Sequence, residues 1–199
     1  MPSIATDLFR SKIFTLSVAT AFLAFMAAGL IFAGLPLLLY EKLVSHSAAL
    51  FFIPWSVAAF LMAFFAGDLR RYCSAAMLES IGLVCLGCGI SLIAFIPTHA
   101  QPIYIIVAMA IAGGGFGLAQ YSNQHILIES TPATRSQEAR RILKISHLLG
   151  MIIGGLLVFA FYLYIPTKNG AEIVLSLGAL MAFLASVMSF SRLLKLAHS

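Results

Sequence analysis

From Ile13 to Tyr40 the chain runs without a charged residue, and five later stretches repeat that apolar pattern. A helix that crosses a bilayer needs about 20 mostly apolar residues. On that measure the pattern predicts spanning helices at about 13–36, 47–67, 75–96, 103–126, 145–165 and 173–191. Only the third holds a charge, Glu79 in its first turn. The longest connection, 129–144, is polar, with a short surface helix expected to start within Thr134–Gln137. Turn residues mark two other connections: Pro97 and Pro102, then Pro166, Asn169 and Gly170. The opening segment is not read as a cleavable signal. Its apolar run is too long, no A-x-A-like site follows it, and Asp7 lies upstream.

Composition agrees with this pattern. Hydrophobic residues make up 61% of the 199 and charged ones 10%, against roughly 45–50% and about 25% in a soluble domain. That balance excludes a water-soluble globule, a disulfide scaffold, a disordered tail and a nucleic-acid-binding domain. The expected fold is an all-α membrane protein in which 1–199 forms a single six-helix domain with the bilayer as its surroundings. Ten of the 12 Lys and Arg residues (Arg10, Lys12, Arg70, Arg71, Arg135, Arg140, Arg141, Lys144, Arg192 and Lys195) fall on one side of the predicted spans. Only Lys42 and Lys168 fall on the other. The positive-inside rule then places both termini in the cytoplasm and the chain in the inner (plasma) membrane. Helices one to three start inside and four to six outside, the geometry of a three-plus-three inverted repeat.

The fourth helix carries the most polar chemistry. Gly113 and Gly117 form a G-x-x-x-G pair that admits a neighbouring helix. Gln120 and Gln124 continue at helical spacing, with Asn123 and His125 beside them. Such groups are costly against lipid and should face the bundle or a wet cavity. They either line a substrate path or make interhelical hydrogen bonds, each worth roughly 1 kcal/mol. In the fifth helix, Gly150 and Gly154 form a second G-x-x-x-G, extended by Gly155, and His147 is expected in a solvated entrance. Cys85 and Cys88 read as small residues at a helix contact beside Gly82, Gly87 and Gly89, because no His or acid flanks them as a metal ligand.

No Asp, Glu, Lys or Arg falls near the middle of a span, so no proton carrier is evident. His125 and Glu129 are the weak candidates for that role, and Glu79 and Glu129 are expected to pair with Arg70, Arg71 or other basic residues at the same side. No G-x-S-x-G, H-E-x-x-H or glycine-rich nucleotide loop occurs. The chain is therefore expected to catalyse no reaction and to hold no cofactor or metal.

Several segments resemble the C-terminal six-helix half of the fourteen-helix drug:proton antiporters of the major facilitator superfamily. They are DLFRSKIF (Asp7–Phe14), the stretch 29–69 with Pro36, Ser47 and Pro54, AGGGFGLAQ (Ala112–Gln120), Thr131–Pro132, and LLGMIIGGLL (Leu148–Leu157). Order and spacing carry the likeness, over roughly 7–165. The family's Asp-Arg pair after the second helix is replaced by Ala66-Gly67-Asp68-Leu69-Arg70-Arg71, which puts the gating role of that loop in doubt. The resemblance implies that helices one and four face a central cavity. That favours Gln120, Asn123 and Gln124, with Phe25, Phe32 and Tyr121 as aromatic candidates. The family's proton-coupling acid belongs to its N-terminal half and corresponds to no residue here.

The expected function is that of a half-size major-facilitator-like transporter subunit. It would export small amphipathic molecules as a homodimer or with a complementary half. The alternative is a non-transporting membrane protein, either a truncated remnant or a helper that binds another membrane protein.

Overall fold

The computed structural model describes residues 6–43, 48–97, 101–165 and 169–196. They form six long helices: α1 (Lys12–Leu43), α2 (Ala48–Leu69), α3 (Ala75–Ala94), α4 (Pro102–Glu129), α5 (Ser136–Tyr164) and α6 (Gly170–Leu196). Short 3-10 turns at Thr6–Arg10 and Ala133–Arg135 precede α1 and α5. All six helices are long and apolar enough to cross a membrane. The described residues contain no strand. This is an all-α membrane fold of the size and helix count of a transporter half-bundle.

The largest differences from the sequence pattern are at the end of the first helix and the start of the fifth. Helix α1 runs through Pro36 to Leu43, and α2 holds Pro54 in its interior. Proline removes one backbone hydrogen bond, which apolar helices tolerate when neighbouring groups satisfy what is freed. In the polar connection 129–144 the helix expected to start within Thr134–Gln137 begins at Ser136, but instead of ending as a short surface helix it runs on into the fifth span. The reason is amphipathicity. Ala139 and Leu143 are buried with Leu8, Phe14, Ala21 and Leu127, while Arg140, Arg141 and Lys144 on the other face are exposed. Arg135 secures this entry by pairing with Glu138 and with Asp7 of the leading turn. Ser47, Pro166 and Lys168, which figured in the sequence reading, lie outside the described residues.

The helices pack in the order α5, α1, α6, α3, α4, α2, each resting mainly on its neighbours in that row. Exchanging α1 with α4, α2 with α5 and α3 with α6 reproduces the same set of contacts, as an inverted repeat requires. Close approach at the outer joints depends on missing side chains. A Cβ on Gly113 or Gly117 would collide with the backbone of Trp55 or Ala59 in α2. Gly150 and Gly154 meet the backbone of Phe22 and Met26 in α1 in the same way. Between α3 and α4, Gly82 and Gly89 abut Ala119 and Ala112. Cys85 adjoins Gly115 of this contact, whereas Cys88 is exposed, and both thiols are free.

The two ends of the row are left bare. Only 17% of the most apolar window of α2 and 28% of that of α5 is buried, against 61% for α1 and α3. Helices α2 and α5 therefore present faces that nothing else among the described residues covers.

Candidate functional site

Between the arms α1–α5 and α4–α2, backbone approaches are sparse, and a row of rings fills the space. Phe52 and Trp55 of α2 each stand 5.2 Å from Phe32 of α1, ring centre to ring centre. Trp55 lies 5.5 Å from Phe116 of α4, and Phe116 lies 5.1 Å from Phe25 of α1. The His147 ring of α5 stacks on Phe25 at 3.9 Å. The separations among the Phe and Trp rings are those of favourable aromatic pairs. All four helices outside the α3–α6 backing contribute to the row. Trp55 is buried, while Phe25, Phe32, Phe52 and Phe116 are half-buried.

Polar groups join the row from α4 and α5. Gln120 lies one helical turn from Phe116 and is half-buried, and its Oε1 is enclosed without a hydrogen-bond partner. The His147 Nε2 is likewise enclosed and unpartnered, so the solvated entrance expected for this residue is corrected to a stacked, largely covered ring. Covering comes from Phe25, whose face lies flat against the imidazole. Polar atoms buried without partners are uncommon in native proteins and mark places where a ligand or water completes the bonding.

The other sequence candidates go elsewhere. Asn123 is buried, and its Nδ2 donates to the Ser17 carbonyl of α1 at 3.0 Å, which ties α4 to α1. Gln124 is exposed. Tyr121 packs with Ala66, Leu78 and Leu118, its hydroxyl near Gly67 on the side of α2 and α3. His125 Nδ1 lies 3.2 Å from Glu129 Oε2, and Glu129 also faces Arg70 at 3.4 Å. The structure thus brings Phe25, Phe32 and Gln120 to one face and separates Tyr121 from them.

A second polar group closes the basic end of the bundle. Glu79 of α3 and Arg192 of α6 are 1% and 3% exposed and meet at 3.2 Å. Arg192 also donates to Ser17 Oγ at 3.0 Å and Thr20 Oγ1 at 2.9 Å, and Ser189 Oγ donates to Glu79 Oε2 at 3.0 Å. Ser146 of α5 joins α1 through the Val18 carbonyl at 2.9 Å. The partner of Glu79 is therefore Arg192, one of the other basic residues expected at that side, while Arg70 and Arg71 are engaged elsewhere. Those two pair with Glu129 and Asp68.

Sequence reasoning did not find Trp55, Phe52, Phe116 or His147 as members of one row. With 16 phenylalanines in the chain, no single one stands out, and their convergence depends on the helix order. Phe116 could have been reached from Gln120, four residues on along the same helical face.

No family model matches the chain. It is 33% identical over 195 residues to a protein of Escherichia coli (strain K12) described as the uncharacterized transporter YebQ. The match takes in 97% of this chain but 42% of the length of that relative. With six spanning-capable helices and a transporter as relative, the chain is an integral membrane protein similar to part of a transporter.

Proposed function

We propose that this chain is a half-size transporter unit of the major facilitator type. Its α1, α2, α4 and α5 face forms one wall of a central substrate cavity. The opposite wall comes from a second copy or from a complementary N-terminal half, and the unit exports small amphipathic molecules across the inner membrane. Both termini face the cytoplasm, as the clustering of basic residues at one end favours. The observation that carries this reading is the aromatic row flanked by the two bare helices, with the enclosed, unpartnered Oε1 of Gln120 one turn along α4 from Phe116. A polar group so placed gains its hydrogen bond only when something occupies the face. His125 and Glu129 are the proton-coupling candidates in this scheme, although both stand at the basic end and away from the row.

Mass and transport test it together. In nanodiscs, native mass spectrometry should find a dimer or a complex with a membrane partner. In proteoliposomes, accumulation of an amphipathic cationic dye should fall on Gln120→Leu. A lone monomer that moves no dye would overturn the proposal. That result would favour the remnant or helper reading, which draws on the absence of any Asp or Glu among the residues described for the aromatic row.

A further inference from the structure

The basic end holds a cleft of about 530 Å³, away from the aromatic row, of which the transport reading uses only Glu129 as a proton-coupling candidate. Its lining includes Lys12, Arg70 and Arg192, one acid, Glu129, and the apolar side chains of Ile13, Leu16 and Ile126. Arg192 is answered by Glu79, and Arg70 shares Glu129 with His125. Lys12 has no ion-pair partner among the described residues. Arg70 and Arg192 each keep a buried Nε–H that donates to nothing. The first turn of α3 adds donors: Ser74 Oγ accepts from the Met77 amide, so the amides of Ala75 and Ala76, also in the lining, have no partner within the helix. The site therefore offers a net positive charge and several N–H groups in search of an acceptor.

Depth identifies the source of that acceptor. Lys12 and Ala75 begin membrane-spanning stretches, and Glu129 and Arg192 end them. All four line the cleft, which puts it at the level of lipid headgroups. Ile13, 38% exposed, continues its wall toward the hydrocarbon. Basic pockets between helices at this depth suit anionic headgroups. We propose that the cleft binds the phosphate of an anionic glycerophospholipid between Lys12, Arg70 and Arg192, with an acyl chain laid along Ile13, Leu16 and Ile126.

Native mass spectrometry of the delipidated full chain tests this, with phosphatidylglycerol, phosphatidylcholine or inorganic phosphate added separately. One phosphatidylglycerol should be retained per chain where phosphatidylcholine is lost. Its affinity should fall about fivefold for each charge removed in Lys12→Gln and Arg70→Gln. Glu129→Gln should raise it, because the one opposing acid is gone and Arg70 is released. Arg140→Gln, outside the cleft on the exposed face of α5, should leave it unchanged. Equal retention of the two lipids, or no loss in the Lys12→Gln/Arg70→Gln variant, would overturn the site. Saturation by inorganic phosphate without lipid preference would reassign it to a free anion and overturn the lipid assignment. If the charge-removal variants fail to fold, the gain expected of Glu129→Gln decides alone.

Discussion

The two ends of the bundle are each closed by charged residues, but in different ways. At the basic end, Glu79 and Arg192 are almost wholly withdrawn from the surface and wrapped by Ser17, Thr20 and Ser189. At the opposite end, Lys42 meets Glu172 at 2.6 Å and donates to the Ile96 carbonyl at 2.7 Å, with side chains 14% and 28% exposed. Tyr162 donates to Glu41 there at 2.8 Å, an exposed contact. Coulomb attraction grows as the surroundings dry, and so does the penalty for leaving one partner alone. The first closure is therefore hard to open once formed, and the second opens at small cost. If the aromatic face has to widen, the geometry favours pivoting about the Glu79–Arg192 end.

The sharpest way to break this contrast is Arg192→Met. It strands Glu79 in the interior and should cost about 3–5 kcal/mol, read as a large drop in the thermal unfolding midpoint in detergent. Adding Glu79→Gln should recover part of that loss, because the orphaned charge is removed. Gly117→Leu comes next. A side chain there meets the Ala59 backbone of α2, and overpacking of this kind costs about 1–3 kcal/mol or more. The same assay should detect it. Lys42→Gln should cost at most about 1 kcal/mol, since partly exposed pairs are weakly stabilising, and its effect should shrink further as salt is added. If Lys42→Gln proved as damaging as Arg192→Met, the two ends would be equivalent and the pivot would lose its basis. The smallest effect on stability belongs to Gln120→Leu. It removes an unpartnered acceptor and should leave unfolding unchanged while transport falls. Trp55 is the chain's only tryptophan and sits in the row, so its fluorescence reports ligand arrival in the same samples.

The helices were legible because the bilayer demands long uncharged runs, and six such runs occupy most of the chain. The start of α5 was legible in part: a helix was expected to begin within Thr134–Gln137 and begins at Ser136, but its continuation into the fifth span was not. Its basic face reads as loop until Ala139 and Leu143 are seen packed against Phe14 and Leu127, residues from elsewhere in the chain. The same limit applies to Glu79 and Arg192. Each is visible as a charge near a helix end, but 113 positions separate them and no local pattern joins them. In the candidate site, Gln120 was legible because an amide stands out in an apolar helix. Asn123 stood out equally, yet its Nδ2 is taken by the Ser17 carbonyl and only its Oδ1 stays buried without a partner. Type and spacing name the polar residues of a membrane helix. Only the packing order tells which of them remain free.

That packing order also has a consequence for synthesis. Helices α1, α2 and α3 leave the ribosome before α4, α5 and α6, yet in the finished protein they scarcely touch one another. The main partners of α1 are α5 and α6, and that of α2 is α4. The early helices must therefore wait in the membrane, sheltered by lipid or an insertion factor, until α6 and α4 slot between them and α5 packs on the outer side of α1. A chain cut between α3 and α4 would yield two pieces with little structure of their own, recoverable only when made together in one membrane.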